Sequence, residues 1–222
     1  MEKISWWTLT KACAVLIISF LVSSCLPTVE TEQVVYSNDF SDLNLTGFEN
    51  AKLYVYNNDT VVGIYHNDEV AVNVNDLPVH NYLKVTLDIL IHDSWDGNSD
   101  DGLGGPDYWY MGYDGIEVFR TTFSNTPCVS TYCLYQSYPN DYFRQNVPKS
   151  GAVQTNLPGL CIFGPDAPNY TTRYSISKLI EHTNPNIKLY MGGDLTAVNS
   201  PSPICDESWS LAKVEVVAIQ TN

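Results

Sequence analysis

Residues 82–91 have the clearest strand pattern in the chain. Five apolar residues alternate there with mostly polar neighbours: Leu83, Val85, Leu87, Ile89 and Ile91. A period of two is typical of a β-strand with one buried face. Further along, the apolar runs 108–113 and 116–120 flank Asp114 and Gly115. An Asp-Gly pair between two apolar runs indicates a β-hairpin, so the centre of the chain is predicted to be antiparallel β-structure.

An acidic, glycine-rich loop at residues 92–107 joins the first of these strands to the hairpin. It contains five Asp residues within fifteen positions and no Lys or Arg. Charges of one sign at this density repel one another unless a cation or water screens them. Carboxylate, amide and carbonyl oxygens are the ligands that Ca²⁺ prefers, although the spacing is not that of an EF-hand. The predicted calcium ligands are Asp93, Asp96, Asn98, Asp107 and, less directly, Asp206; the alternative is a solvated acidic loop.

The amino terminus has the features of a bacterial export signal. Lys3 and Lys11 precede an apolar run at residues 12–22, which is too short for an ordinary transmembrane helix. The run ends in Leu-Val-Ser-Ser-Cys at residues 21–25, which resembles a lipobox, and this resemblance implies lipidation of Cys25. We therefore expect a signal peptide at 1–24, a tether at 25–33 and a folded domain at 34–222. An uncleaved anchor or an ordinary secretory signal is the alternative.

The charge balance restricts the partners of the chain. The sequence has 11 Lys and Arg against 25 Asp and Glu, a formal net charge of −14. Such a surface repels phosphates, so nucleic-acid binding is not expected, whereas divalent cations and basic partners are attracted. The expected contact with a membrane is made by the lipid on Cys25. The chain is predicted to face the periplasm or the cell exterior in a bacterial cell envelope.

Four of the six cysteines are expected to form disulfides. Cys13 leaves with the signal peptide and Cys25 carries the lipid, which leaves four Cys in an exported domain, where disulfides are stable. Four Cys allow three pairings. The short separation of Cys128 and Cys133 favours a local disulfide, and the remaining pair is then Cys161 with Cys205. A zinc site formed by the same residues is the alternative.

The rest of the chain predicts one all-β domain. Short apolar segments separated by Asn, Asp and Gly turns recur at 34–40, 53–56, 61–65, 70–74, 186–193 and 214–219. Residues 175–182 fit either a strand or one helical turn, and no longer helix is indicated. No internal repeat or linker divides the chain. The predicted fold is an antiparallel two-sheet β-sandwich, jelly-roll-like, with its first and last strands close together.

Several short segments together resemble a family of exported bacterial jelly-roll domains related to concanavalin-like lectins and carbohydrate-binding modules. The matching segments are residues 77–80 (Leu-Pro-Val-His), 93–97 (Asp-Ser-Trp-Asp-Gly), 105–107 (Gly-Pro-Asp), 122–125 (Thr-Phe-Ser-Asn), 136–139 (Gln-Ser-Tyr-Pro) and 206–209 (Asp-Glu-Ser-Trp). The resemblance implies a two-sheet sandwich, often with a structural calcium ion held by acidic loops. It implies no particular ligand. The sequence departs from the family pattern after residue 209, where Ser-Leu-Ala-Lys replaces an expected Gly-apolar-Asp-Asn.

Motifs for catalysis are absent from the sequence. There is no Gly-x-Ser-x-Gly elbow, no His-Glu-x-x-His and no phosphate-binding glycine loop, and the four His residues are scattered. The chain is therefore predicted not to be an enzyme. A pair of carboxylates for glycoside hydrolysis is the minor alternative.

A tyrosine-rich region suggests a binding surface instead. Residues 126–170 lack periodicity and are rich in aromatic, Pro, Asn and Ser residues, and long irregular segments in compact domains are usually functional or stapled by disulfides. Sugars bind to flat aromatic faces bordered by polar groups. A carbohydrate ligand is predicted, with Tyr108, Tyr110, Tyr135, Tyr138 and Tyr142 as candidate binding residues. Adhesion to a protein or matrix and a structural role in the envelope are the alternatives.

Overall fold

The computed structural model of the protein describes residues 28–100, 104–161, 164, 166–197 and 201–222. The predicted signal peptide and Cys25 lie outside these residues. The elements in chain order are β1 (Val29–Asn38), β2 (Phe48–Glu49), β3 (Leu53–Tyr56), β4 (Asp59–Tyr65), β5 (Glu69–Val74), β6 (Tyr82–Asp93), β7 (Tyr108–Tyr113), β8 (Ile116–Thr122), β9 (Gln154–Leu157), β10 (Thr171–Glu181), β11 (Ile187–Asp194), the short helix α1 (Pro203–Asp206) and β12 (Glu207–Thr221). Within these ranges, no helix has the length and apolarity needed to cross a membrane.

The strands form two antiparallel sheets, which confirms the predicted all-β sandwich. Sheet A has the order β3-β4-β12-β6-β10-β9, and β1 also pairs with β12. Sheet B has the order β2-β5-β11-β7-β8. Strand β12 pairs with β6 along one edge, and its other edge is divided between β4 and β1. The pairing of β1 with β12 confirms that the first and last strands are neighbours.

Strand β1 begins at Val29, inside the segment expected to be a tether. Its first six residues are exposed, and their sequence is Val-Glu-Thr-Glu-Gln-Val. These residues form their backbone pairs with the end of β12 at the side of the sheet. Because both faces of this part of the strand meet water, it has no apolar alternation by which the sequence could have identified it.

The core lies between the two sheets and follows the predicted alternation of β6. Leu83, Val85, Leu87, Ile89 and Ile91 are all fully buried. Three tryptophans fill the end of the sandwich where the acidic loop leaves β6: Trp95, Trp109 and Trp209 have no exposed surface. The rings of Trp109 and Trp209 meet edge to face, with centroids 6.2 Å apart. This rigid aromatic end of the core lies beneath the candidate site described below.

Two disulfides form, with the predicted pairings Cys128–Cys133 and Cys161–Cys205. The second joins residues 44 positions apart and ties the loop before β10 to helix α1, just ahead of β12. Disulfides persist in oxidising compartments, so the domain is extracytoplasmic.

Candidate functional site

Three carboxylates from distant parts of the chain meet at one end of the sandwich. Asp96 follows the end of β6, Asp107 directly precedes β7, and Glu207 is the first residue of β12. One oxygen from each of the three lies within 4.8 Å of the others. Asp107 and Glu207 are buried, with 0 % and 1 % of their surface exposed. We call Asp96, Asp107 and Glu207 the acidic cluster.

Backbone amides hold Asp107 in the acidic cluster. The Asp96 N–H donates to Asp107 Oδ2 at 2.6 Å, and the Thr196 N–H donates to Asp107 Oδ1 at 3.3 Å. Gly104 lies against Asp96, and a Cβ atom at that position would be 2.7 Å from Asp96 Oδ2. The loop therefore passes close to the Asp96 carboxylate, and a larger residue at position 104 would require that carboxylate to shift.

Burial changes the protonation of the acidic cluster. Burial raises the pKa of Asp107 to about 7; the N–H of Asp96 opposes the shift and the charge of Asp96 adds to it. Burial, followed by the charge of Asp107, raises the pKa of Glu207 to about 11. Three negative charges are thus unfavourable at this place unless a cation or protons accompany them.

The other predicted calcium ligands have different partners. Asp93 is buried, and its carboxylate accepts the N–H groups of Leu160 and Cys161, both at 3.0 Å. Asp206 Oδ1 accepts the hydroxyl of Ser94 at 2.8 Å. Asp93 and Asp206 therefore stabilise neighbouring loops.

Asn98 is likewise occupied within the protein. Its Oδ1 accepts the hydroxyls of Thr122 and Ser137, and its Nδ2 donates to the carbonyl of Arg144 at 2.6 Å. These bonds fasten the loop at 135–146 to the acidic loop. Of the five predicted ligands, the structure brings Asp96 and Asp107 together.

Glu207 was not among the predicted ligands. Residues 206–209 are one of the segments that resemble the jelly-roll family, and the sequence predicts Asp206 of this segment as a ligand. The pairing of Glu207 with Asp93 in the ladder between β12 and β6 brings Glu207 to the acidic loop. This contact joins residues more than a hundred positions apart, and no local pattern in the sequence indicates it.

The outer surface of sheet B carries a row of tyrosines. Tyr110 on β7 is opposite Gly192 on β11, and Tyr190 on β11 is opposite Gly112 on β7. Each tyrosine ring covers the neighbouring glycine so closely that a Cβ atom there would overlap the ring. An aromatic ring over a cross-strand glycine is a known means of stabilising a sheet. Because glycine has no Cβ atom, each tyrosine ring packs directly against the backbone of the neighbouring strand.

Arg120 on β8 lies among these rings. Its guanidinium is 5.3 Å from the ring centroid of Tyr108 and 4.9 Å from that of Tyr110. It also pairs with Glu117 at 2.9 Å and with Asp194 at 3.1 Å. Burial raises the pKa of Tyr108 and of Tyr110 to about 12, so both hydroxyls stay neutral near pH 7.

The loop after β8 extends the tyrosine row. The ring of Tyr142 meets Tyr108 edge to face at 4.9 Å, and Phe143 lies 5.3 Å from Tyr142. The Tyr142 N–H donates to the carbonyl of Arg120 at 2.8 Å, which fixes this loop against β8. Tyr142 and Phe143 are exposed. The set that we call the aromatic face consists of Tyr108, Tyr110, Tyr142, Phe143 and Tyr190.

Three of the five predicted ligand-binding tyrosines belong to the aromatic face: Tyr108, Tyr110 and Tyr142. Tyr138 is 7 % exposed, and its ring packs in the core against Phe123 and Tyr174. Tyr135 is exposed, and its carbonyl accepts the N–H of Asn98. Arg120 and Tyr190 were missed, although the register of the Asp-Gly hairpin could have placed a residue near position 120 opposite Tyr110.

Comparisons with known proteins give no family for this chain. No family model matches it, and no curated protein matches it. Among solved structures, the C-terminal CBM6 module of LamC, a laminarinase from Zobellia galactanivorans, aligns with a TM-score of 0.35 and 9% identity over 84% of this chain and 97% of that one. A Bacteroides thetaiotaomicron protein to which sugar binding has been assigned provisionally aligns with a TM-score of 0.18 and 8% identity, over 88% of each chain. Neither likeness is close enough to carry an argument about this protein.

Proposed function

We propose that the protein is an extracytoplasmic, lipid-anchored binding protein that holds an uncharged polysaccharide on its aromatic face. The observation that carries the proposal is the row of rings on the outer surface of sheet B, where Tyr110 and Tyr190 lie over glycines. Aromatic rings that cover a sheet in this way offer their faces to a flat, weakly polar partner, and the C–H faces of sugar rings are such partners. The anchor is the expected lipid on Cys25.

Polar groups for sugar hydroxyls border the rings. Tyr110 Oη lies 3.3 Å from Glu69 Oε2, and Asp194 and Glu117 flank Arg120. Carboxylates accept hydrogen bonds from hydroxyls and guanidinium groups donate to them, so the border can hold a polyol from both sides. A few convergent polar groups around apolar rings are the usual composition of a small-ligand site.

The charges on this surface favour a neutral ligand. Arg120 is already paired with two carboxylates, so its positive charge is neutralised locally. Glu69 adds a further negative charge beside Tyr110. An anionic polysaccharide would meet a net negative surface on a protein of formal charge −14, whereas a neutral chain pays no such cost.

Affinity electrophoresis of the purified protein tests the proposal. We expect gels containing a soluble neutral glucan, mannan or xylan to retard the wild-type protein, and gels containing a polyuronate to have no effect. Tyr110→Ala and Tyr190→Ala are each expected to weaken binding about tenfold, equivalent to about 1.4 kcal/mol. Tyr54→Ala is the matched control because Tyr54 is an exposed tyrosine on β3 of the other sheet.

The same experiment distinguishes the alternatives. If a polysaccharide retards the wild type, Tyr110→Ala and Tyr190→Ala equally, the binding site does not lie on the aromatic face of sheet B. Failure of every polysaccharide to retard the protein would favour adhesion to a protein. Release of reducing sugars during incubation would show that the protein is an enzyme and contradict the assignment of binding alone.

A further inference from the structure

The acidic cluster contains a buried oxygen with no partner. Among the described residues, Glu207 Oε2 has no hydrogen-bond partner, and Glu207 is 1 % exposed. A buried carboxylate oxygen without a partner is costly, and native proteins rarely keep one unless water or an ion serves it. This oxygen belongs to a side chain that points to Asp96 and Asp107. Glu207 Oε2 therefore still requires a donor or a cation.

Positive side chains of the protein do not meet this requirement. In the described part of the chain, the ion pairs involve Lys84, Arg120, Arg173, His182, Lys188 and Lys213, and none of these pairs includes Asp107 or Glu207. The amide groups around Asp107 neutralise only part of one charge. A proton shared between Asp107 and Glu207 would still leave Asp96 charged beside them. One divalent cation would serve all three carboxylates together.

We propose that Asp96, Asp107 and Glu207 bind a calcium ion that joins the acidic loop to the start of β12. The donor set consists of oxygen atoms alone, which Ca²⁺ and Mg²⁺ prefer and which Zn²⁺ and Cu²⁺ do not require. The three oxygens lie within 4.8 Å of one another. This limit is compatible with ligands around Ca²⁺, which lie up to about 5 Å apart across the ion. Mg²⁺ usually keeps several waters and binds only one or two carboxylates, so a set of three protein carboxylates favours Ca²⁺.

The ion would add to hydrogen bonds that already join the acidic loop to the start of β12. The Ser94 N–H and hydroxyl donate to the Asp206 carbonyl at 2.9 Å and 2.8 Å, and Trp95 Nε1 donates to the Ser208 carbonyl at 2.9 Å. Asp96 lies in the acidic loop after β6, Asp107 directly precedes β7 of sheet B, and Glu207 begins β12 of sheet A. Binding at these positions would link both sheets at one end of the sandwich. The proposal does not depend on the glycan, because no residue of the aromatic face is a ligand of the ion.

Thermal unfolding of the purified full chain tests the site, together with metal analysis. We expect one equivalent of calcium per chain by elemental analysis after dialysis against micromolar CaCl₂. We also expect a midpoint several degrees higher in CaCl₂ than in a chelator. MgCl₂ at the same concentration should give a smaller shift. Absence of bound calcium together with equal midpoints in CaCl₂ and chelator would overturn the proposal.

Matched variants test the ligand set. Glu207→Gln keeps the size of the side chain and removes its charge, so it should abolish the shift caused by CaCl₂. Asp206→Asn and Asp100→Asn remove neighbouring charges outside the cluster and should keep the shift. Loss of the shift in Asp206→Asn as well would overturn the three-residue assignment. If Glu207→Gln fails to fold, ⁴⁵Ca equilibrium dialysis with wild type and Asp96→Asn decides: equal binding by both would contradict the site.

Discussion

Acidification from pH 8 to pH 4.5 is expected to lower the free energy of unfolding through His92 by about 3 kcal/mol. His92 is fully buried, and its ring nitrogens contact the hydroxyls of Thr171 at 3.0 Å and Ser210 at 2.8 Å. Both hydroxyls can donate or accept, so the neutral ring is satisfied in place. Burial lowers the pKa of His92 to about 3. The folded protein therefore holds this ring neutral throughout the mildly acidic range.

Acid lowers the stability because His92 binds a proton more readily in the unfolded chain than in the folded protein. In the unfolded chain a His titrates near its ordinary value of 6.5, and in the folded protein it titrates near 3. As the pH falls below about 6.5, the unfolded state gains a proton that the folded state cannot bind, so stability decreases until about pH 3. Between pH 6.5 and pH 3, the total loss in the free energy of unfolding caused by His92 amounts to about 5 kcal/mol. Above pH 7 His92 has no effect on the pH dependence.

Urea unfolding of wild type and His92→Gln between pH 8 and pH 4 measures this effect. The neutral variant should lose the part of the acid destabilisation that belongs to His92. Asp107 and Glu207 act with the opposite sign because their pKa values are raised. Both proteins contain these carboxylates, so their contribution cancels in the difference. Parallel curves for the two proteins over the whole range would contradict the prediction.

The Asn125→Asp variant is expected to lose about 3–5 kcal/mol of stability at pH 7. Asn125 is fully buried after β8, and its Nδ2 donates to the carbonyls of Ile91 at 3.0 Å, Asp93 at 3.0 Å and Tyr170 at 3.4 Å. An aspartate of the same shape would place a carboxylate oxygen against three carbonyl oxygens. The substitution would therefore either bury a charge that these carbonyls repel, or require the carboxylate to bind a proton at a cost in free energy.

Equilibrium unfolding in urea gives the magnitude, and Thr172→Val is the control. Thr172 donates its hydroxyl to Asn125 Oδ1 at 2.6 Å, so Thr172→Val removes one bond from the other side of the same amide. We expect it to cost about 1–2 kcal/mol. A loss below 1 kcal/mol in Asn125→Asp would show that the three carbonyl contacts do not hold the ends of β6 and β10 together.

The strands and much of the core could be predicted from local patterns. The alternation at residues 82–91 identified β6 and its buried face, and the Asp-Gly pair identified the hairpin between β7 and β8. The spacing of Cys128 and Cys133 favoured the disulfide that forms. These features depend on neighbours within a few residues, and period and turn chemistry record such neighbours directly.

The partners of the carboxylates in the acidic loop could not be predicted from local patterns. Its composition indicated a surplus of carboxylates but not their separate partners. Asp93 meets the amides of Leu160 and Cys161, whereas Asp96 and Asp107 meet Glu207. The choice among these partners depends on the antiparallel register of β6 and β12. A shift of one residue in that register would turn Glu207 to the other face of the sheet.

The sequence by itself determined the fold class, the central hairpin and the buried face of β6. The tertiary structure alone decided which carboxylates share a cluster and which tyrosines share a face. Tyr108 and Tyr142 meet because a loop folds back on β8, and Glu207 reaches Asp107 because β12 pairs with β6. Side-chain period is a property of neighbouring residues in the chain, whereas a site is formed by residues that only long-range strand pairing brings together.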